Sequence, residues 1–346
     1  MTQAMAQAIN PNRCFVIAEL SANHGHSLET ALATVRAAKA CGADAIKIQT
    51  YTADTITLDC DNDYFQIKQG TIWDGTTLHK LYQQAYTPWE WHAAIQAEAQ
   101  KEELVFFSTP FDFSAVDFLE TLEVALYKIA SFEITDIPLI EYAASKGKPM
   151  LISTGIATLA DIDAAVQACR RMGNQDITLL KCTSSYPAPV EEANLLTIPN
   201  LAQTFGVKVG LSDHTLGHAV AIAATALGAT VIEKHFILDR AIGGPDASFS
   251  MIPSEFSSMV EGIRQAEAAL GEVSYLLSDK AMLSRQFSRS LFVCEDVKAG
   301  EAFTPRNLRS IRPAHGLAPV HLPSLLGRSA SQDIEAGTPM TWSLVS

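Results

Sequence analysis

The chain reads as a (β/α)8 TIM barrel followed by a small β-rich C-terminal domain. Two observations predict the barrel: eight short β-rich runs each precede an amphipathic stretch, and the series is complete within about 260 residues. A third observation sets the tail apart. From residue 286 onward helical periodicity gives way to short strands and turns. A doubly wound open sheet uses the same alternation, but neither G-x-G-x-x-G nor G-x-x-x-x-G-K-[ST] occurs.

The elements follow from their patterns. CFVIAEL (14–20) precedes a helical pattern over 27–41, which Ser27 caps and whose Leu28, Ala31, Leu32 and Val35 share one face. DAIKIQT (44–50) is the second run. The polar excursion over 52–88 is too long for an ordinary βα connection and is expected to fold over the barrel mouth and bear on specificity. Trp73 lies there, with Trp89 and Trp91 just beyond, and all three read as wall packing rather than ligand stacking. The later runs are LVFFST (104–109), VALYKIAS (124–131), PMLIST (149–154), ITLLKCTS (177–184), VKVGLSD (207–213) and TVIEKHF (230–236). Helical patterns near 114–121, 137–146, 158–171, 195–205 and 217–227 separate them, and a last one covers 253–270. The domain boundary is expected near 280, dividing 1–280 from 281–346. In the tail, EDVKAGEAF and QDIEAGTPM repeat a strand, an acid and a glycine turn. About 60 residues suffice for such a module.

Composition narrows the function. The 346 residues are 48% apolar and 18% charged, which excludes a disordered or fibrous chain. Lys and Arg total 25 against 38 Asp and Glu, a formal net charge of −13. That field repels nucleic acid and anionic lipid as general partners, though not an anionic small substrate in a locally basic cleft. Six cysteines without a C-x-x-C pair fit reduced, mostly buried thiols. The first dozen residues show no basic-then-apolar leader pattern, and the apolar stretch 219–232 is too short to span a bilayer. A cytoplasmic protein without membrane or nucleic-acid partners is expected.

Residues at the C-terminal ends of barrel strands converge on one mouth, and polar groups there stand out on strands buried on both faces. His214 and His235 fall on neighbouring strands, and alternation puts Glu233 and His235 on one face and Lys234 on the other. Two neutral imidazoles, with Asp213 or Glu233 as further ligand, suit a divalent first-row metal; two satisfied hydrogen-bonding histidines are the rival. Lys47 and Lys128 interrupt apolar strands, and a buried ammonium needs an anion or a catalytic task. Thr109, Ser131, Ser153 and Ser212 would complete a phosphate or carboxylate cradle. Structural ion pairs with Glu19 or Glu133, and a Schiff-base role for Lys128 or Lys181, stay open. Glu19 and Glu133 suit general acid–base work or simple ion pairing. Tyr186 and Phe236 read as pocket wall. Residue types alone thus reach a metal-assisted barrel enzyme acting on an anionic small molecule.

At the same positions IAELSANHGHSLE, GADAIKIQTY, FSTPFD, YKIASFE, ISTGIAT, KCTSSYP, VGLSDHT, VIEKHF and IRPAHGL follow in order. In these the chain resembles the sialic-acid-synthase family, which makes nine-carbon acidic sugars from phosphoenolpyruvate and a six-carbon amino sugar. The tail is similar to that family's antifreeze-like (SAF) domain. AELSANH, AIKIQTYTADTITLD and GTIWDGTTLHKLYQQAYTPWEWH resemble the branch that forms pseudaminic acid. Members that form N-acetylneuraminate more usually read Lys-Phe-Gln-Thr at the second strand and carry Asn at the position of Ser184. The resemblance therefore implies 2,4-diacetamido-2,4,6-trideoxy-L-altrose as acceptor, ahead of N-acetylmannosamine or a legionaminic-acid precursor.

The resemblance also assigns roles. It implies His214 and His235 as ligands of Mn2+ or Mg2+, and Lys47, Lys128, Thr109, Ser131, Ser153 and Ser212 as the phosphoenolpyruvate-binding set. Glu133 becomes the acid or base, with Glu19 and Lys128 as further catalytic candidates. Glu19, Gln49, Ser184, Tyr186 and Asp246 become acceptor contacts or their support. Arg312 matches an arginine given to the other subunit's site, which implies a domain-swapped homodimer. Outside the family, the rivals are a Schiff-base aldolase and an inert barrel with a glycan- or ice-binding tail.

Overall fold

The computed structural model describes residues 13–346, so the reading of the first dozen residues lies outside it. Eight parallel strands close in chain order: β1 (Phe15–Glu19), β2 (Ala45–Thr50), β3 (Val105–Pro110), β4 (Tyr127–Ile129), β5 (Met150–Ser153), β6 (Ile177–Cys182), β7 (Lys208–Asp213) and β8 (Val231–His235). β8 pairs back onto β1, with Glu19 opposite His235. Local chemistry sets the helices between them. Ser27 accepts a hydrogen bond from Thr30 N (3.2 Å) and starts the helix Leu28–Ala40, and Thr158 forms a capping box with Asp161 ahead of Leu159–Arg171.

Alternation along the strands separates two layers. Phe15, Ile17, Ala45, Phe107, Leu126, Leu151, Leu180 and Val231 fill the barrel. Gly210 on β7 belongs there because a Cβ would lie 2.4 Å from the Val231 carbonyl oxygen. Two residues further along the same strands stand Glu19, Lys47, Thr109, Lys128, Ser153, Ser212 and Glu233. The opposite faces, among them Val16, Ile46, Ile48, Ile152, Leu179, Val209 and Ile232, pack on the helices in the main core. Each such side chain contributes about 1.5–3 kcal/mol by leaving water. β4 is shorter than its apolar run: pairing stops at Ile129 and a 3-10 turn, Ser131–Glu133, takes the chain towards the mouth.

The first compact unit ends at Gly271 and the second spans Glu272–Ser346, a division ahead of the position near 280 expected from the sequence. In the second unit β9 (Ser290–Val293) pairs antiparallel with β10 (Leu308–Ile311) over a core that includes Leu291, Val293, Phe303, Leu325 and Met340. The two glycine-turn repeats clasp each other. Val297 and Ile334 exchange backbone hydrogen bonds of 2.9 and 2.8 Å. Asp333 accepts from Ala299 N and Asp296 from Ala336 N, both at 2.9 Å, so the acid of each repeat holds the turn of the other. All six cysteines are free, and among the described residues no helix is long and apolar enough to cross a membrane.

Candidate active site

The deepest layer of the mouth is a charge network that burial forces into pairs. Glu19 Oε2 lies 2.6 Å from Lys47 Nζ, and Glu233 Oε1 lies 3.5 Å from Lys47 Nζ and 3.7 Å from Lys128 Nζ. All four side chains are buried. Lys47 donates to Thr109 Oγ1 (3.3 Å), Lys128 to Ser153 Oγ (2.6 Å), and Ser212 Oγ to Glu233 Oε1 (3.0 Å). An unpaired ion at this depth would be costly, and two acids facing two ammoniums balance formally. Burial pushes the Glu19 carboxyl up to about 7, with Lys47 pulling it down and Glu233 pushing it up. Burial draws Lys128 down, whereas for Lys47 the two carboxylates outweigh burial and hold it up. The two ammoniums at this depth are groups that can meet an anion entering the mouth.

Beside this layer the rings of His214 and His235 stand 5.4 Å apart. His214 Nδ1 sits 2.9 Å from the Thr183 carbonyl oxygen, which assigns the hydrogen to Nδ1 and leaves Nε2 with a lone pair. His235 Nδ1 is buried without a partner, 3.9 Å from Asp246 Oδ2. Burial draws His235 well down and keeps it neutral. Two such imidazoles beside a carboxylate are a donor set that a divalent cation fits. Among the described residues no group of three His, Cys, Asp or Glu side chains is arranged to hold one.

A cavity of about 600 Å3 opens above. Gln49, Glu133, Tyr186, His235 and Asp246 line the cavity, and the excursion after β2 supplies a mostly apolar wall of Ile56, Ile67, Trp73, Leu78, Leu81 and Tyr82, with Gln66, Gln69 and Thr71 beside them. Trp73 Nε1 anchors that wall by donating to the Pro245 carbonyl (3.0 Å), and Asp74 organises the excursion by accepting from Gly70 N and Thr71 N, both at 2.9 Å. Glu133 Oε2 has no partner; burial pushes this carboxyl up to about 7 against the pull of Lys128. Ser131 and Ser184 converge on Gly155. Ser131 Oγ accepts from Gly155 N (3.1 Å), and a Cβ at 155 would fall 2.1 Å from Ser184 Oγ.

The expected barrel residues therefore gather at one end of the strands, in two tiers. Gln49, Glu133, Tyr186, His235 and Asp246 face the cavity, while Glu19, Lys47, Thr109, Lys128, Ser131, Ser153, Ser184, Ser212 and His214 lie outside its lining. Arg312 is exposed in the second unit. Four expectations need correction. Lys181 sits on the other face of β6 from Leu180 and Cys182 and donates to the Cys182 carbonyl (2.7 Å), which removes it from the Schiff-base candidates. Asp213 is no metal ligand, because its carboxylate accepts from Lys234 (2.6 Å) and Thr215 on the outer face. Phe236 is fully buried against Phe256 and does not line the cavity, whereas Phe249 packs behind two rings that do, Tyr186 (5.1 Å) and His235 (5.0 Å). Trp73 lines the cavity, but Trp89 stacks on Phe118 and Trp91 meets His24. Sequence reasoning also missed Gly155, Ser21 and the bridging place of Glu233; only the inward parity of Glu233 on β8 signalled it.

The NeuB family model matches residues 34–275 and the SAF domain model residues 288–346. The chain is 49% identical over 327 residues to the pseudaminic acid synthase of Helicobacter pylori, covering 94% of this chain and 96% of that protein. It is 47% identical over 325 residues to the pseudaminic acid synthase of Campylobacter jejuni subsp. jejuni, covering 94% of each. Among solved structures it is similar to the N-acetylneuraminic acid synthetase of Leptospira borgpetersenii, with a TM-score of 0.71 and 30% identity, covering 80% of this chain and 91% of that one. With barrel and tail both matched, the chain belongs to the NeuB family and carries a SAF domain at its C-terminal end.

Proposed function

We propose that the chain is a transferase of carbohydrate biosynthesis that condenses phosphoenolpyruvate with 2,4-diacetamido-2,4,6-trideoxy-L-altrose and water, giving pseudaminic acid and phosphate. The observation that carries this is the pairing of a buried two-lysine layer with an apolar-walled cavity above it. The layer suits a phosphorylated carboxylic acid. The wall suits a sugar that lacks its 6-hydroxyl and carries two acetamido methyls, and a more hydroxylated sugar would leave polar groups unpaired against it. The two higher-identity relatives, both pseudaminic acid synthases, support the same acceptor over N-acetylmannosamine.

C3 of phosphoenolpyruvate forms a bond to C1 of the open-chain sugar, and the carbonyl oxygen there takes up a proton. Water adds at C2, and breaking the C2–O bond releases phosphate and leaves the 2-keto acid. Lys47 and Lys128, with Thr109, Ser131, Ser153 and Ser212, hold the phosphate and carboxylate and stabilise charge as it moves onto the leaving group. Glu133, with a free Oε2 and a carboxyl near 7, gives its proton to the C1 oxygen and then takes one from the water adding at C2. Glu19 sets the charge opposite Lys47, while Gln49, Ser184, Tyr186 and Asp246 orient the acceptor. A divalent cation, Mn2+ or Mg2+, held by His214 and His235, supplies Lewis-acid polarisation of a carbonyl oxygen when bound.

A domain-swapped homodimer, in which Arg312 serves the partner's mouth, belongs to the same proposal. Phe132, Ile156, Val190 and Leu216, in the connections after β4, β5, β6 and β7, are all exposed, and such an apolar rim supports a covering partner. Phosphate release and product mass, measured with phosphoenolpyruvate, Mn2+ and each candidate sugar, test the function. Release with the diacetamido altrose alone is expected; release with N-acetylmannosamine or the legionaminic-acid precursor instead would overturn the acceptor assignment.

A further inference from the structure

Five non-glycine residues among those described have φ in the left-handed range: Ser21 (46°), His26 (55°), Glu103 (53°), Glu123 (52°) and Asn194 (44°). Four are exposed. Ser21 alone is buried, with 3% of its surface accessible, just past the end of β1. An L-residue there carries strain that glycine would avoid, and a buried residue keeps such a conformation only where its surroundings over-determine it. The side chain shows what it gains. Ser21 Oγ donates to Asp246 Oδ2 at 2.5 Å, and Ala22 N adds a longer bond of 3.4 Å to the same oxygen. Asp246 and Ser21 both line the cavity.

The backbone around Asp246 is pinned independently. Asn23 Nδ2 donates to Ser250 Oγ (2.8 Å) and to the Phe236 carbonyl (3.1 Å), and Ser250 Oγ donates to the Asp246 carbonyl (2.6 Å). The loop does not need the Ser21 hydroxyl to stay in place, so that hydroxyl adds the orientation of the carboxylate alone. Both donors to the carboxylate, the Ser21 hydroxyl and the Ala22 backbone N–H, take Oδ2, which leaves Oδ1 to a ligand.

We infer that Ser21 is a specificity-determining positioning residue for the acceptor sugar: its hydroxyl turns the Asp246 carboxylate so that Oδ1 accepts a hydrogen bond from a hydroxyl or acetamido N–H of the acceptor. The inference rests on the condensation proposed above and deepens it. Ser21→Gly removes the hydroxyl and relieves the strain; Ser21→Ala removes the hydroxyl and keeps the strain. A hydrogen bond to a buried carboxylate predicts that both variants raise the KM for the diacetamido altrose about ten- to a hundredfold. The KM for phosphoenolpyruvate stays within about twofold, and Ser21→Gly melts at or above the wild-type temperature. In an Asp246→Asn background the added effect of Ser21→Gly falls below about twofold, because the hydroxyl acts through the carboxylate. An unchanged acceptor KM in Ser21→Gly, an equal rise in both KM values, or full additivity with Asp246→Asn overturns the inference. The wild type is assayed first: failure to use the sugar refutes the condensation, whereas an active wild type with an indifferent Ser21→Gly refutes only the role of Ser21.

Discussion

Replacing Glu233 with Gln separates a balanced charge layer from an incidental one. Glu233 Oε1 is 3.5 Å from Lys47 Nζ, 3.7 Å from Lys128 Nζ and 3.0 Å from Ser212 Oγ. Gln keeps the shape and the Ser212 contact, but Glu19 is then the one carboxylate facing two buried ammoniums. Removing one partner of a buried pair costs about 3–5 kcal/mol. In a unit of this size that lowers the melting temperature by about 5–9 °C. An anion restores the missing charge. Added inorganic phosphate, which stabilises through RT ln(1 + [L]/Kd), should therefore lift the variant more than the wild type. Scanning fluorimetry in chloride and in phosphate at matched ionic strength reads both effects. A variant that melts with the wild type in chloride, or gains no more from phosphate, refutes the claim that Glu233 balances the two lysines.

Other consequences are equally specific. Burial raises Glu133 from 4.5 to about 7, so the fold holds that proton more tightly than the unfolded chain does. Its stabilisation is full below about pH 4.5 and is lost as pH rises through about 7. Glu133→Gln should remove about 1.4 kcal/mol per pH unit from the slope of urea-derived stability inside that window, and an unchanged slope contradicts the assignment. Lys128→Met should raise the KM for phosphoenolpyruvate about a hundredfold with the sugar KM unmoved, while borohydride should trap no substrate on wild-type Lys128; a trapped adduct would restore the aldolase reading. His235→Ala should lose Mn2+ binding by titration calorimetry, and undiminished binding removes His235 as a ligand. Arg312→Ala and Lys128→Met chains, each impaired at limiting substrate, should on co-expression recover activity in the mixed dimer if Arg312 serves the partner's mouth, and a mixed dimer no more active than either variant excludes the swap.

Period-two alternation made much of this site legible. It placed Glu233 and His235 inward and Lys234 outward, and the same parity brings Lys47, Lys128, Ser153 and Ser212 into one layer. Parity applied consistently would also have turned Phe236 outward, where it packs on Phe256. What stayed hidden depends on angles and on distant loops. Nothing in the letters ELSANH shows that Ser21 has φ of 46° or that its hydroxyl reaches Asp246. Phe249 and Asp246 come from the connection after β8, whose fold is set by Asn23 and Ser250 rather than by periodicity. Asp213 looked like a ligand until Lys234, on the outer face, was seen to claim it. In the tail, the repeated acids proved reciprocal only once the two repeats lay antiparallel.

The most direct test of the central claim is the ratio of kcat/KM for 2,4-diacetamido-2,4,6-trideoxy-L-altrose to that for N-acetylmannosamine, measured by phosphate release with saturating phosphoenolpyruvate and Mn2+. An apolar wall that leaves extra hydroxyls unpaired predicts a ratio above about 100 in favour of the altrose. A ratio near one, or a preference for N-acetylmannosamine, would contradict it.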